Sequence, residues 1–114
     1  MKPFIRVMKA LSDPNRVKIM KMLEAKELCV CEITALLGLA QSTVSKHLKL
    51  LEDAGLVDSH REGAWVNYRL ADGRESPYAA ALIRQLKEWL NDEASIRKML
   101  EKLPEVDRER INAA

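Results

Sequence analysis

At 114 residues the chain has room for one domain with a modest core, and pairing with a second copy would help so small a fold. Hydrophobic residues at 47% and charged residues at 32% exclude a disordered chain, and aromatics at 4% argue against broad stacking on single-stranded nucleic acid. The net charge of +2 does not by itself establish a nucleic-acid partner.

The charge is uneven, however. Residues 1–22 hold Lys2, Arg6, Lys9, Arg16, Lys18 and Lys21 against Asp13 alone. No apolar run reaches membrane-spanning length, and Phe4 and Ile5 are followed at once by Arg6, so no signal peptide is expected. The expectation is a cytoplasmic protein with no membrane partner. Its two cysteines are then expected reduced, and a structural disulfide explains them poorly.

In chain order, residues 2–11 read as a short opening helix. Ser12-Asp13-Pro14 makes a helix start, with Asp13 as cap and Pro14 at the first helical position. Val17, Ile19, Met20 and Leu23 give that second helix its buried face, which ends near Ala25. Ile33, Leu36 and Leu37 form another short apolar face, stopped by Gly38. Val44, Leu48 and Leu51 then make one stripe at helical spacing, with Ser42, Ser45, Lys46 and Lys49 turned away from it. Two short helices joined by a Gly-Leu-Ala turn, the second polar and basic outside, have the pattern of a DNA-reading helix-turn-helix. The plainer alternative is a helical hairpin with a solvated face.

After Gly55 the texture changes. Residues 56–60 and 65–70 are β-prone and flank Arg61-Glu62-Gly63-Ala64, which predicts a hairpin with its turn over 61–64. Behind a recognition helix such a hairpin is a wing along the DNA backbone; otherwise it only covers the core. Trp65 and Tyr68 are expected to pack rather than to touch nucleic acid. Ser76-Pro77 starts a long final helix carrying Leu82, Ile83, Leu86, Trp89, Leu90, Ile96, Met99 and Leu100, with Asn91-Asp92 as a place where it kinks or restarts. So apolar a helix, taken with Phe4, Val7 and Met8, predicts a dimer interface, the alternative being a longer intramolecular core.

Cys29 and Cys31 lie where the first helix of the pair begins. Positions i and i+2 of a regular helix diverge and cannot chelate. With Cys29 as N-cap its backbone is extended, which lets its sulfur turn toward Cys31, and Glu32 then stands at the N3 place of a capping box. A thiol caps weakly, which suggests another use. Helix N-termini favour thiolate, and thiolates bind soft ions. Two thiolates do not fill a four-ligand zinc site and suit a thiophilic ion of low coordination number. Two buried, inert cysteines are the alternative.

Taken together, Leu-Ser-Asp-Pro-Asn-Arg (11–16), Glu-Leu-Cys-Val-Cys-Glu-Ile (27–33), Gln-Ser-Thr-Val-Ser-Lys-His-Leu (41–48), Gly-Leu-Val (55–57) and Arg-Glu-Gly-Ala-Trp-Val-Asn-Tyr (61–68) resemble the ArsR/SmtB family of metal-responsive repressors. The resemblance implies a mainly α, homodimeric winged helix-turn-helix with a small β-hairpin, paired through its first and last helices. Residues 1–103 are then the DNA-binding and dimerisation domain, and residues 104–114 a polar C-terminal tail. It also implies a repressor of an arsenic-resistance operon that leaves double-stranded operator DNA when trivalent arsenic or antimony binds Cys29 and Cys31. No catalytic cofactor is implied, and no enzyme.

Gln41, Ser42 and Ser45 become candidates for base edges, Lys46, Lys49 and Arg61 for phosphates, and Thr43 for a further DNA contact. His47 is either a DNA contact or a packing residue. Thr34 stands where many relatives carry a third cysteine, which leaves a cellular thiol, hydroxide or water, or a two-coordinate site. Cadmium and lead sensors add N-terminal cysteines, and zinc and nickel sensors use histidine on the final helix; residues 78–90 hold none. Ala40 replaces a capping serine common among relatives. Two rivals come from other classes: a thiol-based redox regulator of the same fold, and a dithiol enzyme, which the CxC spacing disfavours.

Overall fold

The computed structural model describes residues 1–106. The polar tail expected over 104–114 therefore lies outside the described residues from 107 onward. Helix α1 (Lys2–Ala10) leads into α2 (Pro14–Ala25). Asp13 starts α2 as its spacing implied: Oδ1 accepts from the Asn15 and Arg16 amides at 2.8 and 3.3 Å, and Pro14 needs no acceptor. Ile19, Met20, Met22 and Leu23 are buried, whereas Val17 is only half-buried. Lys21, one of the cations in the basic stretch 1–22, is buried with them at 1% exposure.

Next come strand β1 (Leu28–Cys29), α3 (Val30–Leu37) and α4 (Gln41–Asp53). Gly38 ends α3 in the left-handed region, φ +68°, and its amide returns to the Thr34 carbonyl at 2.9 Å. The Val44, Leu48 and Leu51 stripe of α4 is fully buried and joins Ile33 and Leu36 of α3 in one core. That burial fixes which side of α4 faces outward.

Strands β2 (Val57–Glu62) and β3 (Trp65–Leu70) pair antiparallel, from Val57 opposite Leu70 to Glu62 opposite Trp65. The turn is therefore Gly63-Ala64 alone, not 61–64: Arg61 and Glu62 continue the ladder. Gly63 takes φ +62°, a value that a two-residue hairpin turn requires and glycine accepts without strain. The expected hairpin is also one strand short. β1 pairs with the free edge of β3, giving the order β1-β3-β2 with Leu28 opposite Tyr68 and Cys29 opposite Asn67.

The long final helix does not form as one piece. Helix α5 (Pro77–Leu86) begins at Ser76, whose Oγ accepts from the Ala79 amide at 3.1 Å, and it stops at Leu86. Helix α6 (Ala94–Lys102) follows a turn in which Leu90 takes φ +65°. Lys21 explains the break. Its Nζ donates to the carbonyls of Leu86 at 2.6 Å and Trp89 at 2.9 Å and to Asn91 Oδ1 at 2.9 Å, so a side chain takes the place of the next helical turn. Trp89 and Leu90 are left exposed in that turn, while Ile96 and Met99 return to the interior.

The expected dimer surface also changes. Val7 is fully buried inside its own protomer and cannot face a partner, and Met8 packs half-buried against the same core. Phe4 remains available at 41% exposure, its ring edge-on to exposed Tyr78 of α5 with centroids 5.5 Å apart. Among the described residues no helix is long and apolar enough to cross a membrane.

Candidate functional site

Cys29 is at once the last residue of β1 and the N-cap of α3, with extended backbone angles of φ −81° and ψ 163°. Its amide donates to Glu32 Oε1 at 2.9 Å, the reciprocal half of the capping box expected from the sequence. The extended cap swings the Cys29 side chain back over the first turn, and the Cα atoms of Cys29 and Cys31 lie 5.4 Å apart. Here the two sulfurs are joined as a disulfide, and the expectation of two free thiols is corrected accordingly. Cys29 is buried and Cys31 half-buried.

This donor set fits some ligands and not others. Once reduced, the pair presents two sulfurs able to reach one thiophilic atom. Among the described residues no group of three or more His, Cys, Asp or Glu side chains could hold a metal ion. Two thiolates are fewer donors than a four-coordinate zinc site takes, and they suit a soft atom content with two sulfurs and one small ligand. Thr34, one turn beyond Cys31, keeps its hydroxyl buried and without a hydrogen-bond partner.

On α4, Gln41, Ser42, Thr43, Ser45, Lys46 and Lys49 are all exposed, as the apolar stripe demands. Lys49 Nζ pairs with Asp53 at 3.2 Å across one helical turn, a contact it can exchange for a phosphate because both groups are solvated. His47 is half-buried, and its Nδ1 lies 3.0 Å from Nη1 of Arg16. Ala40 supplies no side-chain cap to α4. Leu50 was not anticipated. It is 48% exposed on this helix and lines a groove with Ile5 and Arg6 of α1.

Arg61 is exposed on β2, opposite Val66. The wing is fastened to the end of α4 by a bond that the sequence did not suggest: Ser59 Oγ donates to Glu52 Oε2 at 2.7 Å. Beside it, burial raises the Tyr68 phenol above its ordinary range and the Glu52 carboxylate adds to this, while Ser59 and Lys49 work the other way. Asn67 is buried on β3, and its amide donates to Glu62 Oε2 at 2.7 Å. His60 Nε2 lies 2.9 Å from Glu27 Oε1, tying β2 to the segment ahead of β1. Sequence spacing could not reveal these contacts, because each joins residues from different elements.

Comparison with known proteins is consistent with this geometry. Residues 13–59 match the family described as bacterial regulatory protein, arsR family. An arsenic resistance transcriptional regulator of Pseudomonas putida is 37% identical over 94 residues, covering 77% of this chain and 72% of the relative. A cadmium resistance regulatory protein homolog of Staphylococcus aureus is 43% identical over 68 residues, covering 59% of this chain and 56% of that protein. Among solved structures, HlyU from Vibrio cholerae is 32% identical with a TM-score of 0.66, covering 78% of this chain and 92% of that one. The homodimeric winged helix-turn-helix DNA-binding domain of a possible ArsR-family regulator from Mycobacterium bovis is 31% identical with a TM-score of 0.65, covering 76% and 77%.

Proposed function

Because the chain belongs to the arsR family of bacterial regulatory proteins, which are DNA-binding transcriptional repressors, we propose that it represses an arsenic-resistance operon. Its sensor is the Cys29–Cys31 pair and its reading element is α4. The observation that carries this reading is the meeting of the two sulfurs at the N-terminus of α3. In the dithiol form each thiol gives its proton to a departing hydroxyl of arsenous acid, or of the corresponding trivalent antimony hydroxide, two waters leave, and Cys29 and Cys31 hold the arsenic or antimony atom. A hydroxyl or a small cellular thiol completes the site. No catalytic cofactor takes part.

The working form is a cytoplasmic homodimer paired through α1 and the C-terminal helices around Phe4 and Tyr78. Gln41, Ser42, Thr43 and Ser45 of each protomer meet base edges in successive major grooves, with half-sites about one helical turn, roughly 10 bp, or a multiple of it apart. Lys46, Lys49 and Arg61 neutralise phosphates. His47 supports the helix through Arg16 rather than reading a base. Cys29 caps α3, and the apolar face of α3 rests on Val44, Leu48 and Leu51, so a change of bonding at the cap disturbs the helix that reads. The coupling is reciprocal: operator weakens inducer binding by the factor with which inducer weakens operator binding.

The test is operator-DNA anisotropy with arsenite added, using the chain's own upstream region, for wild type and Cys29→Ser. Release of the wild type alone is expected. Tight binding in both that ignores arsenite discards the metalloid.

The disulfide favours a second reading, a redox-sensing repressor. Two thiols and one hydrogen peroxide give one disulfide and two waters, and the cap changes without a metalloid. A thiol count after mild peroxide, with operator binding measured in parallel, separates the two readings.

A further inference from the structure

One row of cross-strand partners runs from the cysteine turn to the reading helix. Leu28, next to Cys29 in β1, stands opposite Tyr68 of β3, and Tyr68 stands opposite Ser59 of β2. Directly paired side chains lie on the same face of a sheet. Beyond Ser59 the row ends on Glu52, in the last turn of α4, through the 2.7 Å hydrogen bond from the Ser59 hydroxyl.

We infer that Ser59 is a positioning residue for the reading helix, carrying the state of the cysteine pair across the sheet to Glu52. The inference rests on the proposed sensing role of Cys29 and Cys31. The element with two states is the cap: Cys29 belongs to β1 and to α3, and its sulfur is either bonded to Cys31 or free to hold a ligand. Moving that residue moves both elements that share it. Helix α3 bears on α4 along the buried stripe, whereas β1 reaches the last turn of α4, at Glu52, through Tyr68 and Ser59. A helix supported at two places tilts when the supports move by different amounts. That tilt changes how the exposed face of α4 meets a groove, and no support touches the DNA.

The experiment uses the full chain in two measurements. In the first, amide hydrogen exchange is compared between the disulfide form and the dithiol form made with a phosphine reductant, for wild type and Ser59→Ala. Reduction is expected to alter protection of amides 50–54 in the wild type and not in Ser59→Ala, while residues 28–31 respond in both. In the second, operator anisotropy with and without arsenite gives the ratio of affinities. Ser59→Ala should shrink that ratio at least about threefold, leave arsenite affinity of the DNA-free protein within about twofold, and be rescued by Ser59→Thr.

Amides 50–54 indifferent to the cysteine state in the wild type overturn the relay, as does, where arsenite releases the wild type, an undiminished affinity ratio in Ser59→Ala. If arsenite fails to release the wild type while exchange at 50–54 still follows the cysteine state through Ser59, the arsenic reading falls and the relay stands.

Discussion

The Arg16 guanidinium donates through Nη1 to Nδ1 of His47, 3.0 Å away, and so joins the start of α2 to the reading helix. Arginine can only donate, so Nδ1 accepts in this hydrogen bond. The same guanidinium holds the end of α1, with Nε 2.7 Å from the Ala10 carbonyl and Nη2 3.3 Å from that of Lys9. A lysine cannot span three acceptors in one plane. Arg16→Lys should lower stability by about 1–2 kcal/mol, seen as a lower urea midpoint with an unchanged slope. His47→Ala should cost about 1 kcal/mol and leave the salt dependence of operator binding as it is, because its ring is engaged with Arg16 rather than with a phosphate. Lys46→Ala should reduce that slope by about 1.8 for the dimer, about 0.9 for each protomer's lost phosphate contact. A matching loss of slope in His47→Ala would return His47 to the DNA contacts.

Acid should act on the neighbouring cap. Burial works to raise the Asp13 carboxyl, but the Asn15 and Arg16 amides and the charges of Arg16 and His47 outweigh it, and the group ends below its ordinary range. A carboxyl depressed by folding contributes stability above its unfolded value and loses it as pH falls through its folded one. The contribution is therefore present in full above about pH 5 and fades below about pH 4. Asp13→Ala should cost about 1 kcal/mol at pH 7 and much less at pH 3. Asp13→Asn, which still caps, should lose less at pH 7. Equal losses for Asp13→Ala at both pH values would remove the charge from the explanation.

How much of this was legible in the chain follows from the range of each interaction. Asp13, Gly38 and the Cys29–Glu32 box act within four residues of themselves, and their residue types announce them. The stripe of Val44, Leu48 and Leu51 has a period, and the period alone set the outward face of α4. β1 has only two residues, too few for any alternation, and exists because β3 offers it an edge. The break after Leu86 depends on Lys21, sixty-five positions earlier in sequence; Asn91-Asp92 marked a place where the run restarts, but not the residue that stops it. Lys21 itself entered only as one more cation in the charge count of residues 1–22. Val7 looked like an interface residue because a short amphipathic helix cannot say which of its apolar residues its own core will take.

Ala40 offers a gain. Its backbone is extended as a cap requires, φ −66° and ψ 143°, yet it has no oxygen to give the first turn of α4. Ala40→Ser should stabilise the fold by about 0.5–1 kcal/mol, read as a higher thermal midpoint. Operator affinity should hold or improve, since the face presented by α4 is unchanged. A lower midpoint would mean that the serine hydroxyl does not reach the amides of the first turn.

Lys21 is the most exposed to loss of any residue outside the site, because so much meets at one atom. Its Nζ is 2.9 Å from Glu24 Oε1 in addition to the three oxygens at the end of α5. Lys21→Met fills nearly the same volume without the charge. It strands the Leu86 carbonyl and leaves Glu24, whose side chain is 17% exposed, without its cation. The expected cost is about 3 kcal/mol or more, against about 1 kcal/mol for Glu24→Gln, which keeps an acceptor in place. Denaturant unfolding measures both. Hydrogen exchange adds a local readout: in Lys21→Met the amides of residues 87–93 should lose protection first, because the turn between α5 and α6 has lost the group that shapes it. If Lys21→Met were as stable as wild type, the break in the final helix would have to come from the residues of the turn themselves, and Leu90 at positive φ would be the place to look.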